Sequence, residues 1–323
     1  MKTTRLLACA LAALASFVAP AVFAETFPSR PVTLVIPFPP GGSTDVVGRL
    51  VGKALGDKLG QPVIIDNRAG AGTIIGAAYT AKAAPDGYTL LISSGTTFTV
   101  NPAIQPKLPY DPIKSFEPIG TVARTGLILL ANKDVPVSNP KEFVALVKPS
   151  PDKYSYASFG TGTTSQFTGE LMLRATGTKM VHVPYKGSAP AMTDLMGGQV
   201  PFSVDTVTAA IPQLKSGKIK AIAVTTRKRA ALLPNVPTFA ESGFDLDADT
   251  WVAVVAPHGL PPEVRARLEK ALAEVVASPE MREKLTASGL EPDWQNGAAT
   301  AAQIEKELPL MRAIAIRANI RPE

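Results

Sequence analysis

Cysteine is nearly absent from this chain of 323 residues: Cys9 is the only one. It lies in an N-terminal stretch built like a secretory signal. Lys2 and Arg5 give a positive start, residues 6–18 are apolar and uncharged, and "AVFAET" (21–26) sets small residues before a cut after Ala24. The apolar part is too short for a membrane span. A lipoprotein signal is the rival reading, but its cysteine should follow the apolar core, and Cys9 stands near the beginning of it. The sequence therefore predicts an exported, periplasmic protein that loses residues 1–24. Without Cys9 the mature chain has no thiol, which excludes disulfides, zinc–thiolate sites and cysteine nucleophiles.

Histidine is almost as scarce. Of the two, His182 sits inside the apolar run "VHV" and His258 follows Pro257 in a loop. There is no H-E-x-x-H and no histidine cluster for a metal. A nucleophile elbow needs G-x-S-x-G, and residues 41–45 come closest but lack the final glycine. The expectation is no metal, no cofactor and no enzyme, with an exported ester hydrolase as the remote alternative.

Long apolar runs and charge blocks are missing too. After the signal, no segment approaches about 18 uninterrupted apolar residues. Removing Lys2 and Arg5 leaves 31 basic against 27 acidic residues, a mature excess of four positive charges. The one short cluster is Arg227-Lys228-Arg229, and no basic stripe interleaves with aromatics, so nucleic acid is not a predicted partner. A mildly basic exported protein suits acidic small molecules.

What is present is alternation of β and α. Strands are predicted at 32–37, 63–66, 89–93, 116–122, 127–132, 154–157, 180–183, 202–204, 221–225 and 252–256. Helices are predicted at 44–58, 74–83, 140–148, 165–176, 189–197, 209–216, 262–277, 280–288 and 300–316. This order argues for parallel sheets with crossover helices, and ten strands suit two sheets better than one. Two passages of similar design, 123–137 and 245–263, are predicted to connect two lobes. The first lobe is then discontinuous, 25–124 plus 250–323, and the second is 125–249. Two α/β lobes with a ligand between them close about a hinge.

The loops after the strands carry the chemistry. Pro39, Pro40, Gly41, Gly42, Ser43, Thr44 and Asp45 follow one strand and open a helix. The prolines fix φ, the glycines let a ligand approach the backbone, and first-turn N–H groups carry partial positive charge. It is not a phosphate-binding Walker loop, because no lysine follows the last glycine. The run "GAGTIIG" (70–76) has G-x-G-x-x-x-G spacing and no acidic residue closing the next strand, so it is not a dinucleotide fingerprint. Ser94, Thr96 and Thr97 form a hydroxyl cluster after another strand. Gly160, Thr161, Thr163, Thr164, Ser165 and Gln166 repeat that design in the second lobe. Such loops offer donors without a cation, which suits a carboxylate held by oriented dipoles and ordered water. Tyr185, Lys186 and Asp205 end strands and are placed toward the crevice.

In order along the chain, "RPVTLVIPFPPGGSTDVVGRLV", "VIIDNRAGAGTIIGA", "APDGYTLL", "YASFGTGTTSQFTGELM", "VPYKGSAPAMTDLMGGQV" and "WVAVVAPHGLPPEV" resemble the receptors of tripartite tricarboxylate transporters, the Bug family. The resemblance covers nearly the whole mature chain. It implies a two-lobed periplasmic-binding-protein type II fold, each lobe a mixed, mostly parallel sheet flanked by helices. It further implies a small mono-, di- or aromatic carboxylate in the interlobe cleft, a membrane permease as partner, and a monomer. A receptor of the same fold that signals to a sensor is the alternative. The resemblance implies a carboxylate gripped by the loops at 39–45 and 160–165, with Asp205 defining the remaining pocket. One departure stands out: the family often has histidine where this chain has Gln166, so charge at that edge does not follow.

Overall fold

The computed structural model describes residues 27–320. The signal segment 1–24, with its cleavage site and Cys9, lies outside the described residues. No helix among the described residues is long and apolar enough to cross a membrane.

Strand β4 (Phe116–Asn132) organises the fold. Two separate strands were expected at 116–122 and 127–132. The intervening "ARTG" interrupts the apolar pattern but carries no proline, and its pairing with β9 carries the structure through it as one strand. Residues 116–126 pair with β9 (Asp249–Pro257), which neighbours β3 (Thr89–Ser94), β1 (Val32–Ile36) and β2 (Val63–Asn67) in turn. Residues 127–132 of β4 pair with β7 (Phe202–Thr206) and β8 (Ile219–Val224), and β7 leads to β5 (Ser155–Ser158) and β6 (Val181–Pro184). One strand thus enters both halves of a ten-stranded sheet. The chain also meets at this waist from the other side, where Thr225 N–H donates to Leu127 and Ala248 N–H donates to Thr225.

The sheet is mixed, and "mostly parallel" holds only toward its two ends. β1–β2, β1–β3, β5–β6 and β5–β7 run parallel, whereas every pairing of β4 and β9 is antiparallel. Crossover helices impose parallel pairing on the outer strands. The chain passes between halves along β4 and β9, and two passages in opposite directions must pair antiparallel. β10 (Glu291–Asn296), which escaped the sequence reading, adds to β4 at the waist.

Helices cover both halves. Helix α1 (Ser43–Leu59) buries Val47, Val51, Leu55 and Leu59 at a spacing of four, one apolar stripe against β1. Gly48 and Gly52 sit on that face, where a Cβ would lie 2.6 Å from Ile36 and 2.9 Å from Ile65. Side chains are excluded there so that the helix can lie close to the sheet. In the second half Tyr156, Phe202, Val204 and Ile222 build the core on one face, and Ala157, Ile128, Leu130 and Val224 build it on the other.

A separate cluster joins the halves. Val100 and Ile104 meet Phe167 of α5 (Thr164–Thr176) and Ala315 of α10 (Gly297–Ala318). The helices between these, in chain order, are α2 (Ile74–Ala81), α3 (Asn101–Ile104), α4 (Pro140–Val147), α6 (Ser188–Met196), α7 (Val207–Leu214), α8 (Pro262–Ala277) and α9 (Pro279–Ala287).

Candidate functional site

Four helices point their N-termini at one small cavity between the halves. Its volume is about 20 Å³, room for about one water molecule, so the cleft is closed around it. Gly42, Ser43 and Thr44 bring the start of α1, Thr164 that of α5, Gly187 and Ser188 that of α6, and Thr206 that of α7. The N-caps of α1, α5 and α6 are Gly42, Thr163 and Gly187, and none of the three makes a side-chain cap bond. Four macrodipoles therefore direct partial positive charge at one point, while no lining residue is ionisable. The wall also carries Ser94 and Thr250, and the Thr250 hydroxyl is buried without a protein partner. Helix starts and hydroxyls around a water-sized space, one of those hydroxyls unpartnered, are the chemistry of an anion site.

The sequence explains the loop before α1. Gly41 has φ +95°, where a Cβ would be strained, and its N–H donates to Asp45 Oδ2 at 3.0 Å. Asp45 also accepts from Arg49 Nε at 3.0 Å and Asn67 Nδ2 at 2.9 Å. Burial pushes the Asp45 carboxyl up, but Arg49, Asn67 and Gly41 together hold it below the ordinary value. Asp45 braces the loop, and its carboxylate is fully engaged there.

The halves touch directly at the cavity. Thr96 Oγ1 accepts the Thr164 N–H at 3.1 Å and lies 3.4 Å from Thr164 Oγ1. Phe38 and Phe159 close the outer side edge to face, with ring centres 6.3 Å apart. Beyond them lies an outer pocket of about 770 Å³, rimmed by Lys186 and by the loops at 69–74 and 159–163. A Cβ at Gly72 would lie 2.7 Å from the Thr161 carbonyl oxygen across that gap.

Of the residues singled out from sequence, Pro39, Gly42, Ser43, Thr44, Ser94 and Thr164 line the inner cavity. Gly160, Thr161, Thr163, Tyr185 and Lys186 line the outer pocket. Pro40 and Gly41 are exposed at the tip of the first loop. Thr97 is buried and donates to Thr73 Oγ1 at 2.8 Å. Ser165 donates to the Val204 carbonyl at 2.6 Å, pinning α5 to β7. Gln166 accepts from Gly162 N–H at 2.8 Å. Tyr185 turns its hydroxyl to Asp194 at 2.7 Å.

Asp205, placed toward the crevice from sequence, stands behind the wall at 0% exposure. Its Oδ1 accepts from Ser188 Oγ at 2.9 Å and Thr206 N–H at 2.7 Å, and both donors belong to residues of the cavity wall. Its Oδ2 is buried without a partner. Burial pushes the carboxyl up to about 7, against the pull of those bonds.

Phe38, Phe159, Gly187, Ser188, Thr206 and Thr250 escaped the sequence reading. Gly187-Ser188 and Asp205-Thr206 each follow a strand and open a helix, a signal that was present. Thr250 lies within a strand and carries no local signal. Among the described residues no group of three or more His, Cys, Asp or Glu is placed to hold a metal ion.

The comparisons with known proteins agree over most of the chain. The family model for the tripartite tricarboxylate transporter family receptor matches residues 47–319. Protein BugT of Bordetella pertussis is 38% identical over 296 residues, 90% of each chain. Among solved structures, R. palustris Rpa4515 with adipate superposes with TM-score 0.89 at 34% identity, covering 92% of this chain and 100% of that one. MatC from Rhodopseudomonas palustris with bound malate gives TM-score 0.84 at 33% identity, covering 89% of this chain and 99% of the other. By fold, by continuous match and by identity, this chain belongs to the tripartite tricarboxylate transporter family of receptors.

Proposed function

We propose that the protein is a periplasmic solute receptor that captures a small carboxylate without changing it and delivers it to a membrane permease of the tripartite tricarboxylate type. The observation that carries this reading is the convergence of four helix N-termini on a hydroxyl-lined cavity with no ionisable wall residue. Such a site neutralises a carboxylate by dipoles and releases it on opening, because no buried cation is left exposed. Adipate and malate in the two related receptors are consistent with the class. Residues 1–24 serve as the export signal, and the mature receptor works as a monomer without cofactor.

The lobes in this reading are 25–124 plus 250–323 and 125–249, hinged where β4 crosses near Thr125 and where the chain returns near Ala248. Closure brings Thr96 to Thr164 and Phe38 to Phe159, and it shuts water out of the carboxylate. The outer pocket then takes the rest of the ligand.

A thermal-shift panel of aliphatic, aromatic and amino-acid carboxylates, alongside neutral sugars, tests the class. At least one acid should raise the melting temperature, since it binds only the folded state. A flat response of ligand-stripped protein to every acid would remove the carboxylate reading. Chemical turnover of a bound acid would replace the receptor with an enzyme.

A further inference from the structure

Two hydroxyls of the cavity wall turn their protons away from the cavity. Ser188 Oγ donates to Asp205 Oδ1 at 2.9 Å, and a hydroxyl has only one proton to give. Thr206 Oγ1 lies 3.4 Å from the same oxygen and accepts the Ala209 N–H at 3.3 Å, so its proton also turns inward. While Asp205 is ionised, both hydroxyls therefore show the cavity lone pairs, the wrong sign for a carboxylate. A proton on Asp205 reverses this. On Oδ1 it finds an acceptor in Ser188 Oγ, whereas on Oδ2 it finds none, because that oxygen is buried without a partner. With Oδ1 as donor, Ser188 is free to point its own proton into the cavity. Oδ1 keeps a lone pair for the Thr206 N–H at 2.7 Å.

We propose that the receptor captures its carboxylate together with one proton, held on Asp205, and that Ser188 turns its hydroxyl from Asp205 to the incoming acid. This rests on the receptor reading above. Water supplies the proton, Asp205 Oδ1 takes it, and no covalent bond of the acid changes. Asp205 is a positioning residue, since it acts on the acid through Ser188. The driving force is electrostatic: the cavity wall has no cation, so an arriving anion raises the proton affinity of the carboxylate behind it. Of the ionisable residues on the elements around Asp205, Arg124 is held by Asp249 and Asp293, Glu117 by Arg265, Glu170 by Tyr156 and Asp194 by Tyr185. Across the cavity Asp45 is held by Arg49. Arg174 lies in the last turn of α5, and Lys186 is exposed at the rim of the outer pocket. The influences on the Asp205 carboxyl are its burial and the bonds from Thr206 and Ser188, with no charged group among them. Burial already brings it up to about 7, so a modest further push protonates it at neutral pH.

The test is calorimetry on the ligand-stripped mature protein at pH 7.5, with the acids of the carboxylate panel, adipate and malate among them, all already ionised. Repeating each titration in buffers of different ionisation enthalpy counts the protons taken up. The wild type should take up at least about half a proton per acid bound, and its Kd should rise at least about fivefold from pH 6 to pH 8. Asp205→Asn keeps an acceptor for Thr206 and Ser188 but cannot titrate, and it leaves His182 and His258 in place. Its uptake should fall to near zero, and its Kd should stay within about twofold over the same range. A second reading needs no variant: with ¹³C-labelled aspartate carboxyls, one signal should move to the protonated position when acid binds. Uptake near zero in the wild type, equal uptake in the two proteins, or no such signal would overturn the proposal and leave the receptor reading standing. Failure of every acid to bind would remove both.

Discussion

Ser188 Oγ donates to Asp205 Oδ1 at 2.9 Å, so a fully buried carboxyl sets the hydroxyl of a cavity-wall residue from behind. The second carboxyl oxygen has no partner, and ionising it in place is costly. The folded pKa near 7 stands above the ordinary 3.8, so the folded state keeps a proton that the unfolded chain loses. That stabilisation is complete below about pH 4 and is lost as pH rises toward 7, on the order of 4 kcal/mol in all. Asp205→Asn cannot titrate. Denaturant unfolding of both proteins at pH 5 and pH 8 should show a steeper loss in the wild type. Equal losses would mean that Asp205 ionises freely in the fold.

Gly72 faces the Thr161 carbonyl across the closed outer pocket, and its φ is +58°. Gly72→Ala costs about 1 kcal/mol locally from the left-handed backbone. The larger effect is a clash that exists only when the halves are closed. The variant should fold with a melting temperature lowered by a few degrees at most. Small-angle scattering should give it a larger radius of gyration than the wild type under the same conditions. Identical scattering profiles would show that closure does not bring these two loops together in solution.

Arg124 ties four elements at the waist. Its guanidinium reaches Asp293 at 2.7 Å, Asp249 at 3.2 Å and Gln303 at 3.1 Å, so β4, β10, β9 and α10 meet on one side chain. Arg124→Met keeps the aliphatic stem and leaves two carboxylates near one another without their cation. Because the group is partly exposed, the loss should be about 2 kcal/mol, between surface and buried ion pairs. Urea unfolding measures it. A loss below about 0.5 kcal/mol would class the network as a solvated surface cluster.

The parts of the site with local signatures could be read from sequence. "PFPPGGSTD" breaks a strand with prolines and glycines and restarts as a helix, and the structure places Pro39, Gly42, Ser43 and Thr44 on the cavity wall. "GTGTTSQ" carried the same signal and supplies Thr164. What depends on partners distant in sequence was not legible. β10 reads "EPDWQN", charged and without alternation, and it is a strand because β4 offers it an edge. The division of β4 into two strands followed its halves' separate patterns, whereas its length is set by pairing with β9 and then β7. Asp205 lies at the strand end as read, but which way its side chain points is decided by Ser188 and Thr206 in front of it. Phe38 and Phe159 become neighbours only when the two halves meet.

The most direct measurement compares an acid with its neutral amide. The strongest binder from the carboxylate panel is titrated calorimetrically into ligand-stripped protein beside the corresponding primary amide, which matches it in size and shape. If four helix N-termini hold the carboxylate, the amide should bind at least about 100-fold more weakly, a difference of roughly 2.7 kcal/mol. Equal affinity for acid and amide would contradict recognition of the carboxylate by the cavity.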